Sequence, residues 1–465
     1  MATISKPTLL RQLGVISATA LVVSNMIGQG IFTTSGFLAG DLGSPGLVLW
    51  IWVVGAACAL LGAVCYSELG INFPSSGGEY VYLTRAFGPT WGFVTGWISF
   101  FAGFSAPIAG AALGFSEYVG YFFPSVRQQN STVLVGSGEL TLQFGLAQIV
   151  AGLLVLSFSV LNIFGVQRVA RIQNVLTAAK VLVLVAFIVL AFTMGTGDTA
   201  HFSMNAQRTS SLPIASQFGV SLLFVYLAYS GWNAATYVAE EVKTPRTTLP
   251  LALLLGTILV TALYMALNFV FLYAAPLEDL KGKVAVGSFA ASRLFGPGIT
   301  SIFSALMAVS LMSTVNAMVT IGPRVYYAMA GNGAFLQAAG RVHPKFRTPV
   351  AAIMAQAVCT ILMTLTPLRD LIQYVGFTLN LSAVMSVIAL MKFRGRPGWQ
   401  KLPVVSFAYP LLPVLFILVG LWVTYQGSVG RPYISLAAIL TIATGALVYH
   451  FRIRQRPQPA SVETY

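Results

Sequence analysis

Twelve apolar runs near or above 20 residues long dominate this chain and leave little room for a water-soluble fold. They fall at 13–38, 46–70, 88–123, 141–165, 173–195, 213–240, 249–275, 286–330, 349–366, 370–392, 402–426 and 430–451. A helix needs about 20 such residues to cross roughly 30 Å of hydrocarbon. Strands of a membrane barrel would be shorter and would alternate; these runs do neither. The expectation is an all-α polytopic membrane protein of about 12 transmembrane helices. Only 8% of the 465 residues are charged, against about 25% in a soluble domain.

The net charge of +14 suggests nucleic acid until its distribution is read. With the N-terminus placed in the cytoplasm, cytoplasmic segments hold 18 of the 26 Lys and Arg, outer segments hold seven, and Lys180 lies inside a span. That bias follows the positive-inside rule with both termini cytoplasmic, and a basic inner face accounts for the charge without a nucleic-acid partner. The first run is too long for a cleavable signal and continues into further spans. The compact loops suit an inner cell membrane. Cys58, Cys65 and Cys359 all fall within spans and have no metal-ligand spacing. No HExxH, GxSxG or P-loop pattern occurs, so neither a metal, a cofactor nor catalysis is expected.

Two runs are interrupted. The first carries Gly28-Gln29-Gly30 and the sixth carries Tyr229-Ser230-Gly231-Trp232-Asn233. Unwound backbone at membrane depth survives only where it lines a cavity or is buried in protein. The half-helix starting near Gly30 offers free N–H groups and a positive dipole end, which favour a carboxylate. The half-helix ending near Met26 and Ile27 offers carbonyls, as do Leu227, Ala228 and Ser230 in the sixth run. A zwitterion satisfies both polarities. The breaks open two five-span sets, and because five is odd the second set enters from the opposite side, the layout of many secondary transporters. The expected divisions are a cytoplasmic tail at 1–12, a first repeat at 13–200, an inverted repeat at 201–393, helices 11 and 12 at 394–451, and a tail at 452–465. The segments 124–140 and 196–212 read as polar outer loops, and 74–89 as a short structured stretch on the cytoplasmic face.

The GxGIF of the first span and AYSGWNAATYVAEEVKTPRTTLPLA of the sixth resemble the amino acid–polyamine–organocation superfamily, and within it the L-amino-acid transporter family. PSSGGEYVYLTRAFGP, ARIQNVLTAAKVLVL and NAMVTIGPRVYYAMAGNGAF extend the resemblance over spans one to ten. It implies an alternating-access carrier with a LeuT-like 5+5 inverted repeat. It places the substrate carboxylate at Gln29, Gly30 and Ile31, and the amine at Met26, Ile27, Leu227, Ala228 and Ser230. The chain departs from the family at two positions. Gln29 stands where serine is usual, and Leu227 stands where a Phe gate is frequent. Heavy-chain pairing in the family uses a cysteine between spans three and four, and 124–140 has none, so no covalent partner is expected.

Lys180 lies nine residues past Arg171, about 13 Å inward at helical rise. A charge at that depth costs at least about 2.5–3.5 kcal/mol and is a functional candidate by default. The resemblance implies that its ammonium replaces a sodium ion beside carbonyls near Ser24 and Asn25, with Tyr264 hydrogen-bonding nearby. Gly28, Tyr229, Gly231, Trp232 and Asn233 are pocket or gate candidates at the breaks. Ser105, Pro107, Ser313 and Asn316 line the route or form interhelical hydrogen bonds. Glu68 and Glu117 read as surface charges at span ends, and Glu240, Glu241 and Lys243 as a cytoplasmic gate or capping cluster. The expected function is sodium-independent exchange or facilitated diffusion of neutral L-amino acids. The alternatives are a cationic amino acid or polyamine carrier, with or without proton coupling, and more remotely a channel. The middles of spans one, three, six, eight and ten hold no Asp or Glu for a second cation.

Overall fold

A peptide group in hydrocarbon finds no water, so each apolar run satisfies its backbone internally as helix. The computed structural model describes residues 9–135, 141–283, 285–366, 368–430 and 432–454. Most of the two expected tails, and residues 136–140 of the first outer loop, lie outside them. The chain begins α1 (Val15–Met26), α2 (Gly30–Leu42), α3 (Pro45–Asn72), α4 (Glu79–Phe87), α5 (Pro89–Ile98) and α6 (Ala106–Val119). It continues with α7 (Leu146–Ile163), α8 (Val166–Met194), α9 (Ile214–Tyr229), α10 (Pro245–Ala274), α11 (Leu277–Leu280) and α12 (Val286–Phe295). It ends with α13 (Pro297–Gly331), α14 (Val350–Met363), α15 (Leu368–Phe393), α16 (Pro403–Phe407), α17 (Leu411–Gly430) and α18 (Pro432–Val448).

Among the described residues, eleven helical segments are long and apolar enough to cross a membrane. The ninth expected run folds as the shorter α14 of 14 residues. The eighth run is divided at Gly296, whose φ of 78° ends α12 before α13 begins. The third span is continuous but widens into a π-type stretch at Ser99–Ser105. Pro107 lacks an N–H and its ring crowds the carbonyl four residues back; the wide turns just before it accommodate both effects. Within the expected outer loop, β1 (Thr132–Val135) pairs antiparallel with β2 (Leu142–Phe144) at the start of the expected fourth run, a pairing the loop's polar composition concealed.

At the centre, α1 packs on α10, α8 and α13, while α2 packs on α9. The last span buries only 17% of its apolar window against 72% for the span in α13, so α18 is rim and α13 is core.

Glu68 corrects the sequence expectation of a surface charge. It is fully buried, and its carboxylate accepts from Arg394 Nε at 2.6 Å and Nη2 at 3.0 Å, from Trp399 Nε1 at 2.7 Å and from Leu402 N at 2.9 Å. The chain after α15 folds back and covers the end of α3, which sequence position alone does not show. Glu117 accepts from Gln128 N at 2.7 Å and so ties the hairpin loop to α6. Removing one member of a buried pair strands the other, at a cost of about 3–5 kcal/mol. Glu68→Ala is therefore expected to lower the thermal unfolding midpoint in detergent strongly, and Glu68→Gln to lower it less, because an amide still accepts from Trp399.

Candidate functional site

Both interruptions are present. α1 stops at Met26, with Ile27 at φ −76° and ψ 86°, and α2 starts at Gly30. α9 stops at Tyr229, Ser230 is extended, and Gly231 takes a φ of +100° before a tight 3-10 stretch at Ala234–Glu241. The breaks lie directly against each other. A Cβ on Gly30 would sit 2.7 Å from Ala228 Cα, and one on Gly231 would sit 2.7 Å from Asn25 Cβ. The two glycines are required by this crossing, and Gly231 also by its left-handed backbone.

The exposed helix ends have opposite polarity. The N–H groups of Gln29, Gly30 and Ile31 stand at the start of α2, with no carbonyl behind them in the helix. On the carbonyl side, the Tyr264 hydroxyl of α10 reaches Met26 O at 2.6 Å and Ala228 O at 3.0 Å. One hydroxyl proton serves only one of these acceptors at a time. Tyr264 thus bridges the two breaks, on the carbonyl next in sequence to the Ile27 carbonyl that Lys180 takes. Lys180 of α8 donates from Nζ to Ile27 O at 2.7 Å, to Thr314 Oγ1 at 2.8 Å and more weakly to Ser24 O at 3.4 Å. Thr314 Oγ1 also donates to Ile27 O at 2.8 Å, so both lone pairs of that carbonyl are engaged. Lys180 is 2% exposed, and its Nζ sits at the negative end of the α1 dipole.

Behind Lys180 runs a buried polar network. Ser24 Oγ lies 2.6 Å from Thr177 Oγ1 and 2.8 Å from Ser313 Oγ. Gln173 Nε2 donates to Ser313 Oγ at 2.9 Å, and Asn316 Nδ2 donates to Gln173 Oε1 at 2.6 Å. This network fixes α1 to α8 and α13. It is where Ser313 and Asn316 are found.

A cavity of about 50 Å³ lies against the second break. Of the sequence candidates, Leu227, Ser230, Gly231, Trp232 and Asn233 line it, with Pro107 from the third span. Residues 26–31, Ser105, Lys180, Ala228, Tyr229, Tyr264, Ser313 and Asn316 do not. Trp232 is also a packing anchor, edge-on to Tyr66 at 4.7 Å. The Gln29 side chain turns to α6, where a Cβ on Gly114 would lie 2.6 Å from Oε1; that oxygen is buried and takes no donor among the described residues. Glu79 lines the cavity as well. Sequence reasoning missed it because it stands on α4, outside every span. Only its position after the paired Gly77 and Gly78 marked a special turn.

Helices interrupted within the membrane, packed break on break, with a buried lysine on one exposed end, define a membrane carrier for a small polar solute. The chain belongs to the amino acid permease family, whose model matches residues 13–446. It is 30% identical over 412 residues to the serine/threonine exchanger SteT of Bacillus subtilis, covering 88% of this chain and 89% of that protein. It is 28% identical over 458 residues to the human large neutral amino acids transporter small subunit 2, covering 97% and 82%. It is 28% identical over 466 residues to the mouse Asc-type amino acid transporter 1, covering 98% and 83%. It is an amino acid transporter and not an enzyme.

The break-on-break crossing predicts the effect of side chains there. Gly30→Val forces a branched group into the Ala228 backbone, a clash worth about 1–3 kcal/mol in a packed core. Uptake of amino acid into vesicles is expected to fall by about fivefold or more for that energy. Gly14→Ala, where a Cβ meets nothing within 4 Å, is the matched control and keeps wild-type uptake.

Proposed function

We propose that this chain moves neutral L-amino acids by alternating access, without sodium, as an exchanger or facilitated carrier. The observation that carries the reading is the Lys180 ammonium bonded to the carbonyl end of the first break, with the second break packed against it. A tethered ammonium at the Ile27 and Ser24 carbonyls occupies the ground on which a sodium ion would otherwise balance those dipoles. Substrate then needs only to match the remaining polarity. Its carboxylate meets the N–H groups of Gln29, Gly30 and Ile31, with the Gln29 amide as an added donor. Its amine meets the carbonyls of Leu227 and Ser230, and shares those of Met26 and Ala228 with Tyr264. Ile27 is left to Lys180 and Thr314.

The aliphatic Leu227, Leu379 and Ala383 on the cavity wall support an apolar side-chain end. The names of the relatives, which include a serine/threonine exchanger and a large neutral amino acid transporter, point the same way. We place 13–200 and 201–393 as inverted repeats, since the breaks open corresponding helices, and both termini in the cytoplasm, since the basic segments cluster on that side. The membrane is then the cell membrane, and the loop at 124–140 offers no cysteine for a covalent heavy chain.

Proteoliposomes loaded with unlabelled amino acid test this. Labelled neutral amino acids are expected to enter equally with sodium or choline outside, and faster with substrate inside. Lys180→Ala is expected to abolish uptake, because it leaves the Ile27 carbonyl and Thr314 without their cation. Uptake that requires sodium, or that survives Lys180→Ala, refutes the sodium-free reading. A preference for arginine or polyamines over leucine and serine refutes the substrate class.

A further inference from the structure

Among the described residues, Glu79 is a carboxyl on the transport cavity without a counter-ion. It is 3% exposed. Its Oε1 accepts from the Tyr66 hydroxyl of α3 at 2.6 Å and from Asn233 Nδ2 at 3.1 Å, and Asn233 Nδ2 also donates to Tyr237 Oη at 3.0 Å. The α4 backbone joins the same contact. Gly77 N donates to Tyr237 O at 3.2 Å, and a Cβ on Gly78 would strike the Tyr237 ring at 2.6 Å. The start of α4 is therefore built against the segment that follows the second break.

The groups facing Glu79 are Tyr66 from α3, Asn233 and Tyr237 from the post-break segment, and Tyr82 from its own helix. The cations on neighbouring elements are engaged elsewhere. Arg324 of α13 pairs with Glu241, Arg394 beyond α15 pairs with Glu68, and Lys392 of α15 donates to Ala86 O. Burial raises the Glu79 carboxyl to about 7 even though the hydrogen bonds from Tyr66, Asn233 and Tyr237 pull it down. A buried carboxylate with no cation beside it gains most from a proton.

We propose that Glu79 is a proton-binding site on the transport cavity, whose ionised form holds the segment after the second break in place and whose protonated form releases it. The ionised carboxylate is acceptor-only, so it fastens Asn233 to Tyr66 across the break. A proton from the aqueous cavity occupies one lone pair and removes the charge. The bonds that remain are neutral ones, about half as strong, and the post-break segment then leaves without stranding a buried anion. The proton returns to water when the segment closes again. The site rests on the carrier reading above only for its transport consequence.

Two measurements test it. The first is amino acid exchange in proteoliposomes with inside and outside clamped at the same pH. Wild-type exchange is expected to fall several-fold from about pH 6 to about pH 8, with an inflection near the raised value. Glu79→Gln, a fixed neutral side chain, is expected to lose that dependence, and Glu79→Asp to keep one. A flat wild-type profile, or an unchanged inflection in Glu79→Gln, overturns the proposal. The second measurement needs no transport. Trp232 stacks edge-on against Tyr66, so the tryptophan emission of detergent-solubilised wild type should titrate near neutrality, and Glu79→Gln should not. If no amino acid moves at any pH, the carrier reading fails and the emission titration alone decides the proton site. If Glu79→Gln does not fold, the wild-type profile and Glu79→Asp decide it: a flat profile in both refutes it.

Discussion

Peptide groups left open inside a bilayer cost several kcal/mol each, and this cost organises the molecule. Interrupting α1–α2 and α9 exposes carbonyls and N–H groups where lipid offers nothing. The protein answers with three devices. The two breaks are pressed together through Gly30 and Gly231. Tyr264 is placed between the Met26 and Ala228 carbonyls. Lys180 is buried against Ile27. Each device fixes a neighbouring element: α10 must carry the tyrosine, α8 the lysine, and α13 the Thr314 that shares the lysine. The polar network of Ser24, Gln173, Ser313 and Asn316 then holds those helices in register.

The segment after the second break is tied on several sides. Glu241 accepts from Arg324 Nε at 2.7 Å in a fully buried pair, and its carbonyl accepts from Gln12 N and Leu13 N at 2.8 and 2.9 Å. Lys243 N returns a bond to Leu13 O at 2.9 Å. These contacts bring the start of the chain, α13 and the 3-10 stretch together at one end of the bundle. Buried ion pairs contribute little net stability but are costly to break singly. That suits a junction which either holds as a set or opens as a set.

Much of this was legible in the sequence. The breaks could be read because Gly28-x-Gly30 and the Ser-Gly-Trp-Asn stretch interrupt otherwise apolar runs, and apolar runs are the loudest signal a chain carries. Lys180 could be read because charge is rare in such runs. Thr314 could not, since a threonine among apolar residues looks the same whether it faces lipid or a lysine. Glu79 and Asn233 are separated by 154 positions, and Glu68 and Arg394 by 326; only the fold brings them together. Gln29 was visible as a departure, but the space that receives it, at Gly114, was not. The divided eighth run shows a limit of hydropathy: it measures how apolar a stretch is, and a single left-handed glycine changes direction without changing that sum.

The lysine at the first break has an electrical consequence. A mobile ion crossing with its cargo carries charge through the membrane field, about 2.3 kcal/mol per charge for each 100 mV. The Lys180 ammonium is anchored by its side chain to α8 and stays behind when the cargo departs. A zwitterion adds no net charge of its own. On the sodium-free reading proposed above, the voltage across the bilayer therefore has nothing to pull on at this site.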